Sequence, residues 1–78
     1  MQEINLIEWL KAIKMHVLQY AVYKENPVTI QEWLRGRNFN PANFEAWRRG
    51  KATPRINTYN EINKFIKEEK DEMARNGK

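Results

Sequence analysis

Residues 29–54 read Thr-Ile-Gln-Glu-Trp-Leu-Arg-Gly-Arg-Asn-Phe-Asn-Pro-Ala-Asn-Phe-Glu-Ala-Trp-Arg-Arg-Gly-Lys-Ala-Thr-Pro, and this stretch carries two helix starts, each followed by a stop. Thr29 with Glu32 three residues later is a capping box. The Thr hydroxyl accepts from the Glu32 amide, and the Glu carboxylate accepts from the Thr29 amide. Val28 and Trp33 flank the box at the spacing of a hydrophobic staple. Gly36 and Asn38 follow within a few residues and keep this helix short; Asn38 tolerates a positive φ. Asn40 opens a second helix, and Pro41 at its first position gives up only an amide that has no partner there. Phe39 and Phe44 repeat the staple spacing, while Phe44 and Trp47 mark an inward face. Gly50 supplies the stop, and Pro54 delays resumption. The reading is of two short capped helices joined by a tight turn.

On the N-terminal side, residues 4–24 hold no Gly and no Pro. Leu6, Leu10, Ile13, Val17 and Ala21 recur at helical spacing as one apolar stripe. Ile4, Ile7, Met15, Leu18 and Val22 form a second on a neighbouring face. A helix this apolar needs two things to pack against. One is the domain's core; the other is the same helix in a second copy, unless the stripe packs on Phe65 and Ile66 of the last helix. Asn26-Pro27 ends the first helix, because the residue before proline is pushed out of the α region. On the C-terminal side, Thr58-Tyr59-Asn60-Glu61 reads as another capping box, with Tyr59, Ile62, Phe65 and Ile66 as a buried face. The run Lys67 to Glu72 reads as a solvated face. The expected organisation is one domain, 1–78, all-α, with a long first helix in 1–25, the helix pair in 29–49 and a C-terminal helix in 57–75.

The chain has 78 residues, enough for one core. It has no cysteine and a single histidine, His16, which excludes disulfides and ordinary zinc sites, so no metal or cofactor is expected. His16 is expected at the surface or partly buried. No apolar run is long enough to span a membrane and nothing near Met1 resembles a signal peptide, so a soluble, cytoplasmic protein without membrane partners is expected. Glu61, Glu68 and Glu69 lack a positioned partner or nucleophile, and no catalytic residue and no enzyme activity are expected. The net charge is +4, and between Thr29 and Arg55 six cations (Arg35, Arg37, Arg48, Arg49, Lys51, Arg55) face two acids (Glu32, Glu45), so all the excess lies there. Arginine suits planar recognition of phosphate, although a solvated basic surface has the same composition.

The run Thr29 to Leu34, then Asn40 to Trp47, then Arg48-Arg49-Gly50-Lys51-Ala52-Thr53-Pro54, resembles the phage Cro and repressor family of Xre-type regulators. The resemblance covers roughly residues 20 to 66. It implies a small helix-turn-helix bundle of four to five helices, lambda-repressor-like, that binds double-stranded DNA as a phage- or plasmid-type transcriptional regulator, a repressor. It implies that Asn40, Pro41, Ala42, Asn43 and Ala46 face the bases, with Asn43 the best placed to pair with adenine. It puts Arg49 and Lys51 on phosphates, joined by Thr29 and Gln31 at the opening of the first helix of the pair. Arg35, Arg37 and Arg48 complete the expected DNA-binding set. A homodimer is expected through Ile4, Ile7, Met15, Leu18 and Val22, since relatives pair two half-sites about one DNA turn apart. The alternative is a helical protein-interaction module, or an inhibitor that grips a host protein through its first helix.

Overall fold

The chain reverses three times, at Glu25, Asn38 and Gly50, the residues of left-handed backbone with φ of 55°, 67° and 74°. Each reversal closes a helix by the same pair of hydrogen bonds. The Asn26 and Glu25 amides donate to the carbonyls of Ala21 and Val22, those of Phe39 and Asn38 to Leu34 and Arg35, and those of Lys51 and Gly50 to Ala46 and Trp47. This double bond satisfies carbonyls that a helix end leaves orphaned. The helices so delimited in the computed structural model, which describes residues 5–76, are α1 (Leu6–Lys24), α2 (Ile30–Arg35), α3 (Pro41–Arg48) and α4 (Ile56–Asn76). The described residues are all-helical, with no strand and no fifth helix.

The starts follow local chemistry. Asn5 caps α1 by accepting from the Glu8 amide at 3.2 Å. Both halves of the Thr29–Glu32 box are formed, at 3.1 and 2.9 Å. Glu32 is held below the ordinary carboxylate range, foremost by the hydrogen bond from the Thr29 backbone. Asn40 accepts from the Ala42 amide at 3.0 Å, with Pro41 opening α3. One start needs correction, and one stop does not. As expected, α2 is short: Gly36 caps its end with a right-handed φ of −64°, and Asn38 turns the chain. Thr58 does not cap α4: the helix begins at Ile56, and the Tyr59 amide already donates to the Arg55 carbonyl at 2.9 Å. Proline restricts the residue before it rather than the one after, which leaves Arg55 free to open the helix three residues before Thr58 would.

The long helices run side by side in the same direction. Trp9 Nε1 donates to Asn63 Oδ1 at 2.8 Å, His16 Nε2 lies 2.7 Å from Glu69 Oε1, and Tyr20 Oη donates to Glu72 at 3.1 Å, a nearly constant offset of 54, 53 and 52 residues. Parallel neighbours need a connection that travels back along the helix, about 28 Å for nineteen residues. α2 and α3 fill that return path. Trp33 of α2 meets His16 midway along α1, and Trp47 of α3 meets Trp9 near its beginning.

The core follows from this arrangement. Trp9, Leu10, Ile13 and Val17 are buried with Trp33, Leu34, Phe44, Trp47 and Ile62. Trp9 lies between Trp47 and Tyr59, with ring centroids 5.7 and 4.9 Å away. The second stripe does not join it. Ile7, Met15, Leu18 and Val22 are 54–77% exposed, so Phe65 and Ile66 are not what covers them. Ile4 lies outside the described residues.

At the centre of the molecule, His16 and Glu69 overturn their expected placement. His16 is 1% exposed and Glu69 8% exposed. The run Lys67 to Glu72 is therefore not a uniformly solvated face, because Glu69 follows Ile62 by seven residues and lands on the same inward side of α4. Its two oxygens accept four hydrogen bonds: Oε1 from His16 Nε2 (2.7 Å) and Trp33 Nε1 (3.0 Å), Oε2 from Arg37 Nε (2.8 Å) and Arg37 Nη2. Burial pushes the Glu69 carboxyl up, but the donors His16, Arg37 and Trp33, with the charge of Arg37, outweigh it and hold the group below its ordinary range. No helix among the described residues is long and apolar enough to cross a membrane.

Candidate nucleic-acid interface

α3 is anchored by its back. Phe44 and Trp47 are buried, and their rings meet edge to face at 6.5 Å. At 100° per residue the opposite side of the helix carries Ala42, Glu45, Ala46 and, one step past its end, Arg49. Ala42, Asn43, Arg48, Arg49 and Lys51 are exposed, while Pro41, Glu45 and Ala46 are half-buried. Asn40 is exposed, but its oxygen is spent on the Ala42 amide, which leaves its amide nitrogen to act outward. Asn43 stands at the flank of this front rather than its middle. It lines a cleft with Asn38, Asn40, Thr58 and Glu61. Its full set of amide donors and acceptors is the richest base-reading chemistry on the face.

The charge of the face is less uniform than its composition. Glu45 accepts from Arg48 at 2.7 and 3.3 Å and lies 3.8 Å from Arg49. The bond from Arg48 is the main cause that keeps Glu45 below the ordinary carboxylate range, and the same bond raises Arg48. One ionised acid thus sits between two arginines on the outward side of α3. Arg35, Lys51 and Arg55 have no ion-pair partner among the described residues. Lys51 is set by the Gly50 turn, whose φ of 74° places it directly after the end of α3.

Arg37, expected on DNA, is turned inward. Besides its bonds to Glu69 it donates from Nη1 to the Trp33 carbonyl at 3.0 Å, and its guanidinium carbon lies 4.4 Å from the centroid of the Trp33 ring. Three of its five N–H donors are thus committed inside the protein and its charge is answered by Glu69, so Arg37 serves the packing of α2 on α4. Thr29 and Gln31 are exposed at the start of α2, the Thr hydroxyl already accepting from Glu32. Gln31 shares a cleft with Arg48 and with two residues that sequence reasoning missed, Lys11 and Lys14 of α1. No local signal pointed to them. In a charge count they cancel against distant acids, and only the packing of α1 against α2 and α3 brings them beside Gln31. The structure thus gathers Gln31, Arg48, Lys11 and Lys14 along one side of α3 and Asn40 and Asn43 along the other. No protein-family model matches the chain, and it has no match among curated proteins or among solved structures.

Proposed function

We propose that the chain is a helix-turn-helix protein that binds double-stranded DNA in a sequence-specific way, acting as a repressor-type transcriptional regulator of the phage or plasmid kind. One observation carries this reading: α3 is held from behind by Phe44 and Trp47, while its front and the turn after it offer Ala42, Asn43, Ala46, Arg49 and Lys51 to a partner. A helix anchored on one side and polar or small on the other fits the major groove, where small residues allow close approach and an amide reads adenine. In this reading Asn43 contacts a base edge, and Ala42 and Ala46 lie against thymine methyls. Arg48, Arg49, Lys51, Arg35 and Gln31 hold the phosphates on either side. Arg37 holds α2 onto α4 instead. Selection of bound duplexes from a random pool tests the proposal. Recovery of a consensus supports it, and a pool that stays random through repeated rounds contradicts it.

The second reading, a helical module acting on another protein, draws on the exposed apolar stripe of α1. A module of that kind has no reason to prefer duplex DNA, so retention on heparin with a steep salt dependence separates the two.

A further inference from the structure

The stripe on α1 stands opposite the core and exposes Ile7 (68%), Met15 (56%), Leu18 (54%) and Val22 (77%) on one face. A contiguous patch of this kind marks an interface. Its charges say which. Lys11 lies seven residues before Leu18 and Glu25 seven residues after it, with Met15 and Val22 between them at three and four residues from the centre. Seven residues is close to two helical turns, so Lys11 and Leu18 share the outward side; Glu25, in the turn just past the end of α1, lines a groove with Leu18 and Val22. Neither Lys11 nor Glu25 has an ion-pair partner among the described residues.

We infer that this face receives the same face of a second copy of the chain, with the two α1 helices antiparallel and the two-fold axis at Leu18. In that register Leu18 meets its own copy, Met15 meets Val22, and Lys11 meets Glu25 at both ends. A parallel pairing would instead set Lys11 on Lys11 and Glu25 on Glu25, a repulsion at each end. The patch continues past the end of α1, where Leu18, Ala21 and Val22 line a shallow groove with Pro27 and Val28. Ile7, beyond Lys11, comes to rest over that groove of the other copy, which covers the last exposed apolar side chain of the α1 stripe. A two-fold pairing of one patch with itself closes and does not propagate. The inference stands apart from the DNA reading, since the free protein makes this contact.

Sedimentation equilibrium of the full chain without DNA tests it. The expected mass at high concentration is twice 9.4 kDa. Leu18→Glu is expected to stay folded by circular dichroism and sediment as a monomer. Lys11→Glu alone is expected to raise the dimer dissociation constant roughly tenfold or more, because it faces Glu25 with a like charge. The double variant Lys11→Glu with Glu25→Lys restores the original constant to within a few-fold. A wild-type chain that stays monomeric at its highest soluble concentration overturns the inference, as does a mass that keeps climbing with concentration. A double variant as weak as Lys11→Glu alone overturns the antiparallel register. Both charge positions are exposed, so this arm holds even where Leu18→Glu fails to fold.

Discussion

His16 Nε2 lies 2.7 Å from Glu69 Oε1, a hydrogen bond between residues 53 apart in sequence that joins the middle of α1 to the middle of α4. The carboxylate oxygen is the acceptor, which sets the proton of the ring on Nε2. Trp33 and Arg37 reach the same carboxylate from α2 and the turn after it, so one acid ties three segments together. A buried ion with all its hydrogen-bonding sites filled is costly to break and specifies one packing.

Glu69→Gln tests that role. The variant keeps the shape but removes the charge that Arg37 answers, and an expected loss of roughly 2–3 kcal/mol follows from leaving a half-buried cation without its charged partner. The folded-state pKa of Glu69 lies below its ordinary value of 4.5. Its stabilisation is therefore complete above that value and is lost as the pH falls through the lower, folded value, where the unfolded chain has already taken up the proton. Urea unfolding between neutral pH and about pH 3 should show wild-type stability falling with acid more steeply than the variant, whose remaining slope comes from Glu32, Glu45 and Glu72, also held below the ordinary range. A variant with the same acid slope as wild type contradicts the assignment.

The two described glycines are expected to respond to alanine with opposite sign. Gly50 has a φ of 74° and open space where a Cβ would go, so Gly50→Ala meets only backbone strain, about 1–2 kcal/mol. Gly36 is right-handed, and a Cβ there would meet the Glu32 and Trp33 carbonyls at ordinary contact distances of 3.4 and 3.7 Å. Gly36→Ala should stabilise by about 0.4–1 kcal/mol through the unfolded state. Thermal or urea unfolding of the two variants reads the signs directly.

These contrasts show what was legible and why. The caps at Thr29–Glu32, Asn40–Pro41 and Gly50 depend on neighbours within a few residues, and all three formed as the residues imply. The inward faces of α1 and α3 follow from spacing alone. Glu69, Arg37 and His16 were opaque because their partners lie more than thirty residues away, and nothing local fixes the register of α1 against α4. Thr58 misled for the opposite reason: its local pattern is sound, but Arg55 opened the helix first. The candidate interface divides the same way. Residues of α3 and the Gly50 turn were readable from helical geometry, whereas Lys11 and Lys14 came into view only through packing.

Arg49→Ala with Lys51→Ala is expected to weaken binding to all duplexes alike. Each cation removed from a phosphate should also flatten the salt dependence by about 0.9 in log–log slope. Unchanged affinity and slope in the double variant would take both residues off the backbone.

Asn43→Ala is expected to relax preference at one base position and cost about 1–3 kcal/mol against the selected site. A loss shared equally by every sequence would make Asn43 a positioning residue, as its place at the flank of α3 would then explain. Competition binding with a panel of single-base variants of the site distinguishes the two results.

The most direct test of the central claim is the affinity of the wild-type chain for a labelled random-sequence duplex, followed by fluorescence anisotropy as salt is raised. The phosphate set Arg35, Arg48, Arg49 and Lys51 predicts measurable binding at about 50 mM salt and a log–log slope of roughly −3 to −4. No binding at that salt, or binding that does not weaken as salt rises, would contradict a DNA-binding protein.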